Sequence, residues 1–196
     1  MLKKIAFVIG GLLLLIAALW VSVIVVYQVP TRFFTSMLWK PAAFIKGRPL
    51  VVVVEMGSDD SWPLMWKNVG SFVEEQAKVN ITVVHFRQVS LKKIRSLRAS
   101  AVILTGYHQP IKTYNFAKMS RFFHFLRQTK LPVLGICGGH QFIGKAFGSE
   151  IVPLGMVEKG VVSVKRVKND PILQGIPSSF QVFNWHRLQV HPLPTN

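Results

Sequence analysis

The stretch Pro132-Val-Leu-Gly-Ile-Cys137-Gly-Gly-His-Gln141 sends a short apolar run straight into a cysteine and then two glycines. The apolar run, residues 131–136, reads as a buried strand, and residues 139–147 behind it carry helical spacing. A residue at so sharp a strand-to-helix turn projects its side chain above the carboxyl edge of a sheet. Glycines beside it tolerate the strained dihedrals that such a turn needs. The helix amino terminus favours negative charge, and with it a thiolate at position 137. The Gly138 amide then points where an oxyanion forms during acyl transfer. The competing reading of a lone cysteine is a small buried apolar residue, but these neighbours favour a nucleophile.

Working outward, short apolar runs alternate with longer amphipathic ones. Leu50–Glu55 (LVVVVE) is a β-branched run with the look of a fully buried strand. Residues 62–78 place Trp62, Met65, Trp66, Val69, Phe72 and Val73 at helical spacing. Residues 81–86 form a second strand, 91–97 a short helix and 101–105 (AVILT) a third strand. Residues 114–128 read as a helix crowded with Phe122, Phe123, Phe125 and Leu126. Near-continuous apolar strands joined by helices imply an α/β fold with a parallel sheet covered by helices on both faces. Past Gly148, residues 150–153, 160–167 and 180–183 look like strands punctuated by Gly and Pro, a β-rich appendix to that sheet.

The front of the chain has another character. Residues 5–27, IAFVIGGLLLLIAALWVSVIVVY, hold no charged residue. As a helix they would be about 34 Å long, enough to cross a hydrocarbon core of about 30 Å. A cleaved signal peptide has a shorter apolar region and a small-residue cleavage site, so residues 1–28 are expected to be a single uncleaved transmembrane anchor. Residues 29–49 make a connector, apolar and basic, which either lies in the membrane interface or packs on the domain that follows. Basic residues flank the span on both sides, with a slight lean toward a cytoplasmic domain over residues 50–196.

The formal net charge is +16 and the chain holds a single cysteine. No intramolecular disulfide is possible, so nothing suggests an oxidised extracellular scaffold. The positive charge is spread along the chain and accompanies no nucleic-acid module, so attraction to anionic lipid beside a membrane span is favoured over nucleic-acid binding. His85, His108 and His124 lack metal-ligand spacing, and His140 reads as packing in the elbow helix. Asp59 and Asp60 read as a polar loop. No cofactor or metal is called for.

The segment GICGGHQFIGKAFG resembles the nucleophile motif of the class I (triad-type) glutamine amidotransferases, whose fold is flavodoxin-like. Val102 to Gly106, followed by Tyr107-His-Gln-Pro110, is similar to that family's third strand and oxyanion loop. GMVEKGVVSVK (155–165), Asp170-Pro171 to Gly175, and Val182-Phe-Asn-Trp-His186 resemble later family segments, so the likeness runs from about Leu50 to Pro194. It implies that the Cys137 sulfur attacks the side-chain amide carbon of glutamine, forming a glutamyl thioester and releasing ammonia to a synthetase or other acceptor partner. It further implies oxyanion amides from Gly138 and Tyr107 with Gly106 shaping their loop, glutamine contact by Gln141, and a substrate-holding loop of Trp185, His186 and Arg187. Tyr107 departs from the family's glycine, and its side chain is expected to narrow the pocket.

The family's catalytic histidine sits in a Gln-Phe-His-Pro-Glu type of motif, which the 196 residues do not contain. The resembling domain is therefore expected to be incomplete at its carboxyl end. His191-Pro192 matches the Leu-Pro that follows the Trp-His loop rather than this motif, and His186 falls in the wrong one. A thiol without its base loses orders of magnitude in rate. Two expectations stand together: a glutamine-hydrolysing domain completed by a partner, and a catalytically degenerate, membrane-anchored binding or regulatory protein.

Overall fold

The computed structural model describes residues 39–57 and 64–192. The proposed membrane span at 5–27, the first part of the connector, and Asp59 and Asp60 lie outside the described residues. Among the described residues no helix is long and apolar enough to cross a membrane.

Four parallel strands form the main sheet: β1 (Leu50–Glu55), β2 (Asn80–His85), β3 (Ala101–Leu104) and β4 (Val133–Gly135), in the order β2-β1-β3-β4. The helices between and after them are α1 (Leu64–Gln76), α2 (Leu91–Ser96), α3 (Ser120–Gln128) and α4 (Gly138–Ala146). Side chains alternate across a strand, so each strand feeds two cores. Val51, Val53, Ile81 and Ile103 turn to one face, against Trp66, Val69 and Val73 of α1. Val52, Val54, Val84, Val102 and Leu104 turn to the other, against Ile94, Phe122, Phe125 and Phe142 of α2, α3 and α4. Phe122, Phe125 and Phe142 are among the largest fully buried side chains, and truncating one to Ala costs about 3–5 kcal/mol.

The order matters for function. β1 has β2 on one side and β3 on the other, and in open parallel sheets of this kind ligands bind at the carboxyl ends of the strands where the winding reverses. Thr105 ties those ends together. It is fully buried, its amide donates to Val54 O (3.1 Å), and its Oγ1 accepts from the Met56 amide (3.2 Å).

Two readings from sequence change. The helix expected over 114–128 begins only at Ser120, after a 3-10 turn at Phe116–Met119 whose Lys118 amide donates to the Asn115 side chain. Beyond α4, the separate short strands expected at 150–153 and 160–167 merge into β5 (Glu150–Lys165), which pairs antiparallel with β6 (Ser179–His191). An irregularity between Pro153 and Glu158 interrupts their register, and that break is what the Pro and Gly punctuation marked.

A two-stranded ribbon is marginal alone, and this one leans on α4. Val190 packs where Gly144 has no side chain, and Lys145 pairs with Glu150 at 2.6 Å. At the other end, the connector from Trp39 to Pro49 packs on the domain. Trp39 Nε1 donates to Glu74 (2.7 Å), and the Asn80 side chain bonds Ile45 and Arg48 main-chain atoms at 2.8–2.9 Å.

Candidate functional site

Cys137 is the residue between β4 and α4, and its backbone has φ 52° and ψ −116°. A non-glycine residue rarely adopts this region; it costs on the order of 1–3 kcal/mol and survives only where the surroundings over-determine it. The surroundings do so here. Ile136 N donates to Leu104 O (3.0 Å), Gly139 N to Ile136 O (2.9 Å) and His140 N to Cys137 O (3.1 Å). Gly139 sits so close to β3 that an added Cβ would lie 2.5 Å from Leu104 O. The strand end and the first turn of α4 are thus clamped, and the cysteine between them takes up the strain.

The thiol is exposed, while Gly138 and Gly139 behind it are buried. This removes the reading of Cys137 as a buried apolar filler. His140, expected to pack inside the helix, is instead exposed and holds its Nδ1 2.8 Å from Cys137 O. A short polar side chain in the first turn serves the strained carbonyl better than the core.

The loop after β3 leans over this turn. Gly106 is buried and its carbonyl accepts from Thr105 Oγ1 (3.2 Å). The Cδ1–Cε1 edge of the Tyr107 ring lies against Gly138, where any Cβ would collide with it. Its hydroxyl donates to Gln141 Oε1 at 2.6 Å, and Gln141 Nε2 donates onward to Leu188 O of β6 at 3.3 Å. Gln141 is 5 % exposed, so both ends of its amide are committed to protein partners. Burial, and next the charge of Cys137, push the Tyr107 hydroxyl well above the usual tyrosine range. It therefore stays a donor. Behind it stand Tyr114 (ring centroids 5.1 Å apart) and Phe142 (5.4 Å).

Trp185, His186 and Arg187 were expected in a loop; they lie in the middle of β6. The alternation of Val182, Asn184, His186, Leu188 and Val190 with exposed Phe183, Trp185, Arg187 and Gln189 is the period of a strand. Leu188 and Val190 meet α4, so His186 shares the inward face while Trp185 and Arg187 share the outward one. Trp185 is 64 % exposed and carries Lys159 over its ring at 5.1 Å. His186 has both ring nitrogens occupied, Nε2 by Glu158 (3.1 Å) and Nδ1 by Leu188 O (3.1 Å). Both ring nitrogens thus face protein oxygens.

The structure thus gathers Cys137, Gly138, Gly106, Tyr107 and Gln141 into one site, links His186 to it through Leu188 O, and leaves Trp185 and Arg187 outside. The Glu158–His186 pair is new, and its two residues are too far apart in sequence for spacing to have shown it. Among the described residues no three His, Cys, Asp or Glu side chains group to hold a metal ion.

Comparison with known proteins gives this geometry its context. The chain is 30% identical over 106 residues to a glutamine-hydrolysing GMP synthase subunit of Pyrococcus abyssi, covering 54% of this chain and 55% of that one. It is 32% identical over 117 residues to anthranilate synthase component 2 of Pseudomonas aeruginosa, covering 59% and 56%. The match spans about half the length of each of these curated relatives. A glutamine amidotransferase from Thermotoga maritima shares the fold with a TM-score of 0.56 at 18% identity, over 75% of this chain and 64% of that one. Another, from Methylobacillus flagellatus, does so with 0.57 at 21%, over 75% and 58%. Residues 67–196 match the model of the class I glutamine amidotransferases, and the chain belongs to that family.

Proposed function

We propose that Cys137 is the nucleophile of a glutamine-hydrolysing site and that the ammonia it releases goes to a partner protein. The observation that carries this reading is the exposed cysteine held at φ 52° on the amino terminus of α4, above the carboxyl edge of the sheet. Strain at an exposed thiol on a helix N-terminus is characteristic of a nucleophile elbow. In the reaction the sulfur bonds to the glutamine side-chain carbonyl carbon and the amide nitrogen leaves as ammonia. Water then cleaves the thioester to glutamate and restores the thiol. Among the first-turn amides, Gly139 and His140 already serve Ile136 O and Cys137 O, so Gly138 is the one to receive the oxyanion, with the Tyr107 amide opposite. Gln141 contacts glutamine only by exchanging its bond to Tyr107. Relatives whose names make them one part of a larger synthase support the reading of a partner-dependent enzyme.

A second reading, a binding or regulatory protein on a degenerate site, has its own support. Tyr107 lies against Gly138, Gln141 is committed, and both ring nitrogens of His186 are engaged by Glu158 and Leu188 O. Release of glutamate from glutamine by the full chain, lost in Cys137→Ala, separates the two. Turnover abolished by that substitution supports the nucleophile; no turnover with or without cell extract as a source of partner supports the second reading. In either case residues 5–27 anchor the chain in the membrane, a reading supported by the length of that apolar run, and the flanking basic residues lean slightly toward a cytoplasmic domain.

A further inference from the structure

Cys137 stands at the carboxyl edge of the main sheet, and the opposite, amino edge has no part in the site described above. Four segments meet at that amino edge: 40–49 before β1, 77–79 before β2, 97–100 before β3 and 129–132 before β4. The strands are parallel, so all four segments fall on the same side of the sheet. Main-chain bonds join them: Asn80 N donates to Pro49 O (2.8 Å), Ser100 N to Leu50 O (2.8 Å) and Val102 N to Pro132 O (3.0 Å). Together they carry Lys40, Lys46, Arg48, Lys78, Arg98 and Lys130, every one exposed, and no acidic residue. No ion pair among the described residues engages any of the six. The nearest acids in sequence, Glu74 and Glu75, sit back on the last turn of α1, and Glu74 already accepts from Trp39 Nε1 (2.7 Å) and the Ala42 amide (3.0 Å). Counting both against the edge still leaves it strongly positive.

The edge is not only charged. Phe44 is 71 % exposed and Ile45 42 %, although the turn that carries them is fixed by the Asn80 side chain, which bonds Ile45 N, Ile45 O and Arg48 O. A held turn that turns an aromatic ring to solvent among lysines has the composition that suits the boundary between water and lipid. Each Lys or Arg close to an anionic membrane strengthens association about fivefold. A nucleic acid would use the charge and leave the exposed Phe44 without a role. The preceding chain favours lipid as well. Trp39 stands twelve residues after Tyr27, where the apolar run ends, which is at most about 40 Å of chain. From there the connector follows α1, Trp39 against Gly70 and Ala42 on Glu74, and reaches the edge at Phe44.

We propose that the amino edge of the sheet docks on an anionic lipid surface, with Phe44 and Ile45 entering the headgroup layer and the six cations facing lipid phosphates. Docked in this way, the domain presents Cys137 on its side away from the bilayer. The choice of lipid rests on the reading of residues 5–27 as an anchor; it does not depend on what Cys137 does.

The test is fluorescence quenching in the full chain, reconstituted into nanodiscs of phosphatidylcholine alone or with phosphatidylglycerol, each containing a lipid with a nitroxide headgroup. One chain carries a dye on Cys137, and a second, Cys137→Ser with Ser100→Cys, carries it at the amino edge. The dye at position 100 should be quenched in the anionic discs and much less in the neutral ones, and the dye at position 137 in neither. Lys46→Gln, Lys78→Gln and Lys130→Gln together should shift docking roughly a hundredfold and abolish the quenching, and Phe44→Ser should reduce it. Lys118→Gln, Lys159→Gln and Lys165→Gln together remove the same charge elsewhere and should leave it unchanged. Equal quenching at both positions, equal quenching in both discs, or equal loss with the control set overturns the proposal. Flotation with vesicles separates it from the anchor. A chain that binds anionic vesicles but is stripped by high salt keeps the edge and loses the anchor, whereas one that resists salt without quenching at position 100 keeps the anchor and loses the edge. Tighter binding of a duplex oligonucleotide than of anionic vesicles, through the same three lysines, assigns nucleic acid and overturns lipid. All the substituted lysines and Phe44 are exposed, and circular dichroism of each chain checks that it is folded.

Discussion

The Tyr107 hydroxyl donates to Gln141 Oε1 at 2.6 Å, and that one bond holds the loop after β3 onto the helix behind Cys137. The same glutamine reaches Leu188 O of β6. Gln141 is thus the common support of the loop after β3, of α4 and of the ribbon. Tyr107→Phe removes the donor and leaves a buried acceptor unpaired, a loss of about 1–3 kcal/mol. Urea denaturation of Tyr107→Phe beside the parent chain measures it. An unchanged midpoint would mean that the bond carries no weight.

Strain at Cys137 gives a second expectation. Glycine adopts φ 52° without the penalty that any side chain meets there. Cys137→Gly should therefore be more stable than Cys137→Ala, by about 1 kcal/mol. Since the thiol is exposed, neither substitution loses much packing, and thermal melts of the pair isolate the backbone term. Equal stability would show that the turn is relaxed.

Gly139 faces a harder limit. An alanine there would put its Cβ 2.5 Å from Leu104 O and 2.7 Å from Leu104 Cβ, and β3 is a central strand that cannot retreat. Gly139→Ala should cost about 1–3 kcal/mol, as overpacking does. The atoms nearest an added Cβ at Gly138 all belong to the Tyr107 ring, so combining Gly138→Ala with Tyr107→Ala should relieve part of its cost. A double-mutant cycle reads that coupling directly.

Alkaline titration tests the burial of the two tyrosines. Burial raises Tyr107 and Tyr114 above the ordinary value of 10.0; the charge of Cys137 adds to the first, that of Tyr107 to the second, and Arg87 opposes the second. The unfolded chain ionises them near 10 and the folded chain does not. Their contribution to stability is therefore whole below about pH 10 and lost progressively as pH rises above it. Tyr107→Phe and Tyr114→Phe should each flatten the fall of stability on the alkaline side. A parallel fall in all three proteins would contradict the burial.

The parallel sheet was legible because its strands are continuous apolar runs, and the strand-to-helix turn at Cys137 because Gly138 and Gly139 follow it so closely. Residues 114–119 misled because the crowd of Phe122, Phe123, Phe125 and Leu126 extended the helix reading back to Tyr114; it takes the Asn115 cap to show a 3-10 turn there. The Trp185–Arg187 segment misled for another reason. The family resemblance supplied a loop, and apolar and polar residues do not alternate from Val182 to Val190, so the strand shows only in the alternating exposure of the folded chain. What no pattern held was the set of contacts between distant segments: Tyr107 to Gln141, Gln141 to Leu188, and Glu158 to His186.

The measurement closest to the central claim is mass spectrometry of the detergent-solubilised full chain after treatment with an electrophilic glutamine analogue, with iodoacetamide as the generic alkylating control. The account predicts selective modification of Cys137 by the analogue, blocked by excess glutamine. Modification by iodoacetamide alone, or analogue labelling that glutamine does not suppress, would contradict a glutamine-shaped site at this cysteine.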